Sequence, residues 1–112
     1  MIRCLSDIQP IKTSHGVGEK RVLLSSKESG CSLTQIAITE LQAGEEVAAH
    51  MHPDMQEAFY VLSGELEITL DGHHCRSPQQ TFVYVDKCTN HELKAITDCQ
   101  VMSIGCVISN QY

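Results

Sequence analysis

The sequence has little positive charge, no long apolar run and no closely spaced cysteine pair, and each shortage removes a class of function. Eight lysines and arginines stand against 14 acids, giving a net charge of −6 and a pI near 5.4. Such a field repels phosphate backbones and anionic lipid headgroups, so nucleic acid is not expected as a partner. No apolar stretch approaches the ~20 residues that a bilayer requires. The N-terminus, MIRCLSDIQP, breaks its apolar residues with Arg3, Asp7 and Pro10 instead of building a signal-peptide core. The expectation is a soluble, unexported, cytoplasmic protein with no membrane partner. The cysteines at 4, 31, 75, 88, 99 and 106 include no CxxC pair, which leaves a zinc knuckle or a thioredoxin-type redox centre without support. Without an export signal they read as thiols, with Cys99 and Cys106 as small core residues of an apolar stretch.

Helical periodicity is almost absent as well. What remains is period-two alternation, broken at short intervals by Gly, Pro, Asn and Asp. At 112 residues with 42% apolar content, the chain can bury roughly two thirds of the surface it exposes when unfolded. Residues 1–112 read as one domain, with no linker or repeat. RVLL (21–24) is the first clear strand. LTQIAITEL (33–41) puts Ile36 and Ile38 on one face and Gln35, Ala37 and Thr39 on the other. Strands are expected at 47–51, 57–63 and 65–70, the last with Leu66, Ile68 and Leu70 inward. Asp71-Gly72 is the strongest hairpin signal, because both central residues of a type I′ turn need positive φ. Further strands are expected at 73–76, 81–85, 91–96 and 100–108. Eight or nine short strands imply an all-β sandwich or barrel, and periodicity alone does not separate a barrel from an immunoglobulin-like sandwich.

The chemistry sits in one constellation: Gly44, His50, His52, Glu57, Gly64 and, much later, His91. His50 and His52 are two apart on an extended segment, so their rings leave the same face and can converge on one ion. Glu57 follows a four-residue loop, PDMQ, and a reversal there brings its carboxylate back beside the rings. Taken singly, each of these residues reads as a solvated side chain on a sheet edge. Together they have the spacing of a metal site. His73 and His74 follow the Asp-Gly turn and point to opposite faces, so at least one reads as solvent-exposed and neither as a ligand, and His15 lies in a Gly-rich loop without a signal of its own.

Residues 44–64, GEEVAAHMHPDMQEAFYVLSG, match every fixed position of the first motif of the cupin family, G-x5-H-x-H-x(3 or 4)-E-x6-G, and the chain resembles the small bacterial members of that family. The second cupin motif, G-x5-P-x-G-x2-H-x3-N, is matched only at His91. Gln80, Asp86, Cys88 and Ala95 stand where glycine, proline, glycine and asparagine are expected, which puts the shape of the loop before His91, and the distance of Cys88 from the ion, in question. The resemblance implies a double-stranded β-helix, the cupin jelly-roll barrel, over about residues 33–108. It also implies that His50, His52, Glu57 and His91 bind one divalent ion in the barrel mouth. Three imidazoles and a carboxylate suit a first-row transition metal such as Zn, Fe, Mn or Ni and are too nitrogen-rich for Mg or Ca. An octahedral ion with four protein ligands keeps two positions open for water or a bidentate substrate.

Pocket walls are expected from Phe59, which shares parity with Glu57, and from Gln35, Phe82 and Met102 on other strands, although each also reads as core. The pocket is expected to be small, mostly apolar and poor in cations. Two functions from different classes fit. In a small metal-dependent enzyme, an isomerase or dioxygenase, the ion would act as Lewis acid or oxygen-activating centre on a small carbonyl, sugar or hydroxy-acid compound, with Glu57 as ligand or general base. In a non-catalytic sensor or store, the same barrel would hold a small molecule or metal without turnover. A storage role of the seed-protein kind does not suit so short a single barrel. Sheet edges must be hidden, so a homodimer is expected, with Ile2, Leu5, Ile8 and Ile11 of the segment Ile2–Lys12 as the candidate contact.

Overall fold

The computed structural model describes residues 1–108. Its organising feature is the turn at Asp71 and Gly72, whose φ values of 46° and 82° are both positive, as a type I′ hairpin requires. Four strands lead to this turn: β3 (Leu33–Leu41), β4 (Glu46–His50), β5 (Met55–Ser63) and β6 (Glu65–Leu70). Four lead away from it: β7 (His73–Pro78), β8 (Phe82–Val85), β9 (His91–Ala95) and β10 (Cys99–Val107). They pair antiparallel in nested order, β6 with β7, β5 with β8, β4 with β9 and β3 with β10. The chain is thus one long hairpin wound on itself. Two further ladders, β10 with β5 and β6 with β9, close the winding into two facing sheets. This nesting is the double-stranded β-helix and decides against an immunoglobulin-like sandwich.

Two strands precede the expected barrel. β1 (Ile11–Lys12) and β2 (Glu19–Ser25) extend the first sheet to the order β1-β2-β3-β10-β5-β8, facing a second sheet β4-β9-β6-β7. A single helical turn, α1 (Ser26–Ser29), links β2 to β3 and begins with a capping box in which Glu28 returns to the Ser25 backbone N–H. Arg3 ties the N-terminal segment to the same turn through Glu28.

The core lies between the sheets. Val61, Phe59, Leu41 and Val101 come from one side and Leu66, Ile68, Leu93 and Ala95 from the other, with Cys99 among them. Alternation along each strand fixes which residues enter. On β3 the inward set is Gln35, Ala37, Thr39 and Leu41. On β10 it is Val101 and Ser103, while Met102 pairs with Ile38 and Tyr60 on the opposite face. The same parity puts Phe82, opposite Tyr60, outside.

Gly64 turns β5 into β6 at φ 77°, and a Cβ placed there would come within 2.2 Å of the Asp98 carbonyl oxygen. This first-motif glycine therefore answers both to backbone conformation and to close packing. The two positions where the second motif has glycine tell the converse story. Gln80 and Cys88 keep φ values of 71° and 62°, so the loop retains the left-handed backbone without the residue that adopts it freely. Cys88 N–H donates to the His52 carbonyl at 2.8 Å, which locks the conformation and ties the loop before β9 to the segment carrying His52.

Replacing Gln80 or Cys88 by glycine is expected to stabilise the fold by about 0.5–1 kcal/mol each, as relief of left-handed strain exceeds the entropy that glycine adds to the unfolded chain. Equilibrium urea unfolding measures this, and a lowered midpoint contradicts it. In the other direction, Leu66→Ala, at a fully buried position, is expected to cost about 2–5 kcal/mol in the same assay.

Candidate metal centre

Strand register assembles the site. His50 ends β4 and stands directly opposite His91, the first residue of β9. Their ring centroids are 4.1 Å apart. His52 lies just beyond β4, with its ring 5.0 Å from that of His50 and 5.5 Å from that of His91. Glu57 enters from the facing sheet on β5, with its Oε1 3.1 Å from His52 Nε2 and 3.6 Å from His91 Nε2. One ligand atom from each of these four residues lies within 4.8 Å of all the others. Donors at 2.0–2.2 Å from a common centre are at most about 4.4 Å apart, so the longest separation in the group exceeds that reach by no more than about half an ångström.

Two carbonyls set the ring tautomers. His50 Nδ1 is 2.8 Å from the Ala48 carbonyl oxygen and His91 Nδ1 is 2.9 Å from that of Thr89. A carbonyl only accepts, so each Nδ1 carries the hydrogen and each Nε2 presents its lone pair to the cluster. His91 is 1% exposed, and its Nε2 has no hydrogen-bond partner. At 3.6 Å the Glu57 oxygen is in electrostatic contact but too far to hydrogen-bond. Leaving a buried polar nitrogen unpaired costs roughly 1–3 kcal/mol, and a cation among these donors removes that cost. The donor set and the orphaned nitrogen both fit a metal.

Burial pushes the Glu57 carboxyl up, but the polar contact with His91 and the charges of His52, His91 and His50 outweigh it and hold its pKa below the ordinary carboxylate value. For His50, burial lowers the pKa and the Ala48 carbonyl only partly opposes it, while the neighbouring rings push the same way as burial. Burial also lowers that of His91, but Glu57 and the Thr89 carbonyl more than compensate, and the net shift is upward.

Beside the cluster opens a cavity of about 90 Å³. Gln35 and Phe59 line it, together with Leu41, Val101 and Leu93. Phe82 and Met102 are not among its lining residues. Phe82 is 64% exposed, and both side chains sit on the outer parity of their strands, a consequence of register that sequence alternation did not resolve. Cys88 is exposed and outside the four-residue group, with its Sγ directed to the Pro53 carbonyl. Two residues that sequence reasoning passed over stand at the cavity. The His15 ring lies against that of His50, tilted by 40° with centroids 4.3 Å apart, and Lys20 lies on the cavity wall. Only the chain reversal between β1 and β2 brings them there, and nothing in local spacing signals it.

The cupin domain model matches residues 37–105, the greater part of the chain. Among curated proteins, "Polyketide synthase CurC" of Streptomyces cyaneus is 29% identical over 83 residues, which are 72% of this chain and 53% of that protein. The chain spans about half the length of the curated relatives it matches. Among solved structures, a predicted oxalate decarboxylase from Thermotoga maritima superposes with a TM-score of 0.90 at 23% identity, covering 96% of this chain and all of the other. Ectoine synthase from P. lautus superposes with a TM-score of 0.82 at 22% identity, covering 97% and 79%. At these identities the structures speak for the fold, and the family match together with the nested strand pairing carries the assignment: the chain belongs to the cupin family.

Proposed function

We propose that the chain is a small metal-dependent enzyme in which His50, His52, Glu57 and His91 hold one divalent transition metal, of the Zn, Fe, Mn or Ni kind, and act on a small carbonyl, sugar or hydroxy-acid compound. The observation that carries this reading is the convergence of four donor atoms, one of them the buried, unpartnered His91 Nε2, at the wall of a cavity. When bound, the metal supplies Lewis acidity or, if redox-active, access to oxygen chemistry. The protein's part follows from its own geometry. His50 and His91, their Nδ1 hydrogens fixed on carbonyls, are oriented before any ligand arrives. Glu57, ionised and 3.1 Å from His52 Nε2, is placed either to ligate or to take a proton from a substrate and share it with that ring. Phe59, Leu41 and Val101 keep bulk water from one side of the cavity.

The names of the related proteins, a polyketide synthase protein and an ectoine synthase, support a small organic substrate. A binding module without turnover is the second reading, since the same four donors and cavity would hold a metal and a small molecule without reacting. We also infer a homodimer that uses the segment Ile2–Lys12, in which Ile2 is fully exposed and Ile11 half exposed. Among the described residues, no helix is long and apolar enough to cross a membrane.

Protein purified without a metal-affinity step is expected to carry close to one transition-metal ion per chain by elemental analysis. The double variant His50→Ala/His52→Ala should lose about nine tenths of it, since two of four donors are gone. Equal metal content in both removes the site. In a screen of keto acids, sugars and phenolic compounds, turnover should disappear on chelation and return on adding metal. Ligand retention without turnover selects the binding module.

A further inference from the structure

The unusual residue of the cavity is its one lysine. Arg3, Arg21, Arg76 and Lys94 each pair with a glutamate. Lys12, Lys27 and Lys87 are exposed to water. Lys20 is neither. It is half-buried, lines the cavity beside the metal cluster, and among the described residues no carboxylate lies within 4.0 Å of its Nζ. In a chain with 14 acids and a net charge of −6, a half-buried ammonium at a cavity wall with no carboxylate in reach is the exception among the cations.

Its position is fixed by a single contact. Lys20 Nζ donates to Gln35 Oε1 at 2.9 Å. An amide oxygen orients an ammonium without neutralising it, so two of the three donor hydrogens of Nζ are left for another partner. Gln35 in turn is placed by register. It lies opposite Gly105 of β10 from one side, and Glu57 lies opposite the same glycine from the other. Gln35 and Glu57 are therefore two strand spacings apart, roughly 10 Å between backbones, and their side chains project into one cavity. The ammonium and the metal cluster face a common space of about 90 Å³ with an apolar floor of Leu41, Phe59 and Val101.

We propose that Lys20, positioned by Gln35, is the recognition site for the anionic end of a small organic carboxylate whose other end meets the metal cluster. This narrows the substrate class and rests on the metal reading given above. It agrees with the expectation of a pocket poor in cations, since the lining holds one lysine and no arginine. The acidic surface repels anions in bulk, so the lysine also explains how a carboxylate is accepted only at this spot. Neutral sugars would leave the ammonium unpaired and polyphosphates would exceed the one charge available.

A cycle between ligand charge and residue charge tests the assignment. The probes are succinate and butanoate, which share a chain length but differ in the second carboxylate, and the proteins are wild type, Lys20→Met and Lys20→Arg, each loaded with zinc and checked for zinc content. Wild type is expected to bind succinate about tenfold more tightly than butanoate by titration calorimetry or ligand-observed NMR. Lys20→Met should reduce that preference to about twofold or less with its zinc intact, and Lys20→Arg should restore most of it. Equal preference in wild type and Lys20→Met, or none in wild type, overturns the proposal. Failure of wild type to hold zinc defeats the metal reading instead. Butanoate binding to the metal-free protein then tests the lysine claim separately, because its single carboxylate needs only the ammonium: Lys20→Met should weaken it about tenfold, and unchanged binding overturns the claim.

Discussion

The site depends on one cross-strand pair. His50 on β4 stands opposite His91 on β9, and that register exists because the chain pairs outward from the Asp71-Gly72 turn in nested order. In a β-ladder a slip of one residue turns every side chain to the other face. A slip in the β4–β9 ladder would send one ring to solvent and leave the other buried without a partner. The apolar alternation of β9 resists this, because Leu93 and Ala95 must face the core for the same reason that His91 does. The convergence of the donor rings and the packing of the core are thus enforced by a single register.

That coupling explains why three of the four donors were legible from local spacing and the fourth, His91, only through the family resemblance. His50, His52 and Glu57 fall within eight residues, where strand parity and one loop suffice to place them together. His91 is 34 residues beyond Glu57, and its placement rests on two ladders that local patterning does not specify. The Asp-Gly turn made the fold's apex visible, since few other dipeptides supply two positive φ angles. The positions of Gln80 and Cys88 were misleading in the opposite sense, because non-glycine residues there suggested a different loop while the backbone kept its left-handed turns.

The pocket was the least legible part. Gln35 and Phe59 share inward parity with buried neighbours, whereas Phe82 and Met102 alternate outward. The difference is one residue of register, below what hydrophobic pattern resolves when both faces of a sheet carry large apolar side chains. His15 and Lys20 were hidden for another reason. They belong to the turn before β2 and to β2 itself, ahead of the barrel, and the pairing of β2 with β3 brings that segment over the mouth. The cavity consequently carries two unlike polar groups, a nitrogen-rich cluster with one ionised acid and an ammonium held by an amide, in a wall where Leu41, Val47, Phe59, Leu93 and Val101 alternate with hydroxyl side chains.

The central claim is that three imidazoles and one carboxylate close on a common cation. X-ray absorption at the metal edge of protein loaded with one equivalent of zinc tests it most directly. The account predicts a first shell of nitrogen and oxygen at about 2.0–2.2 Å with the outer-shell scattering of about three imidazole rings, and the loss of one ring's contribution in His91→Ala. A shell containing sulfur, or one showing a single imidazole or none, would contradict it.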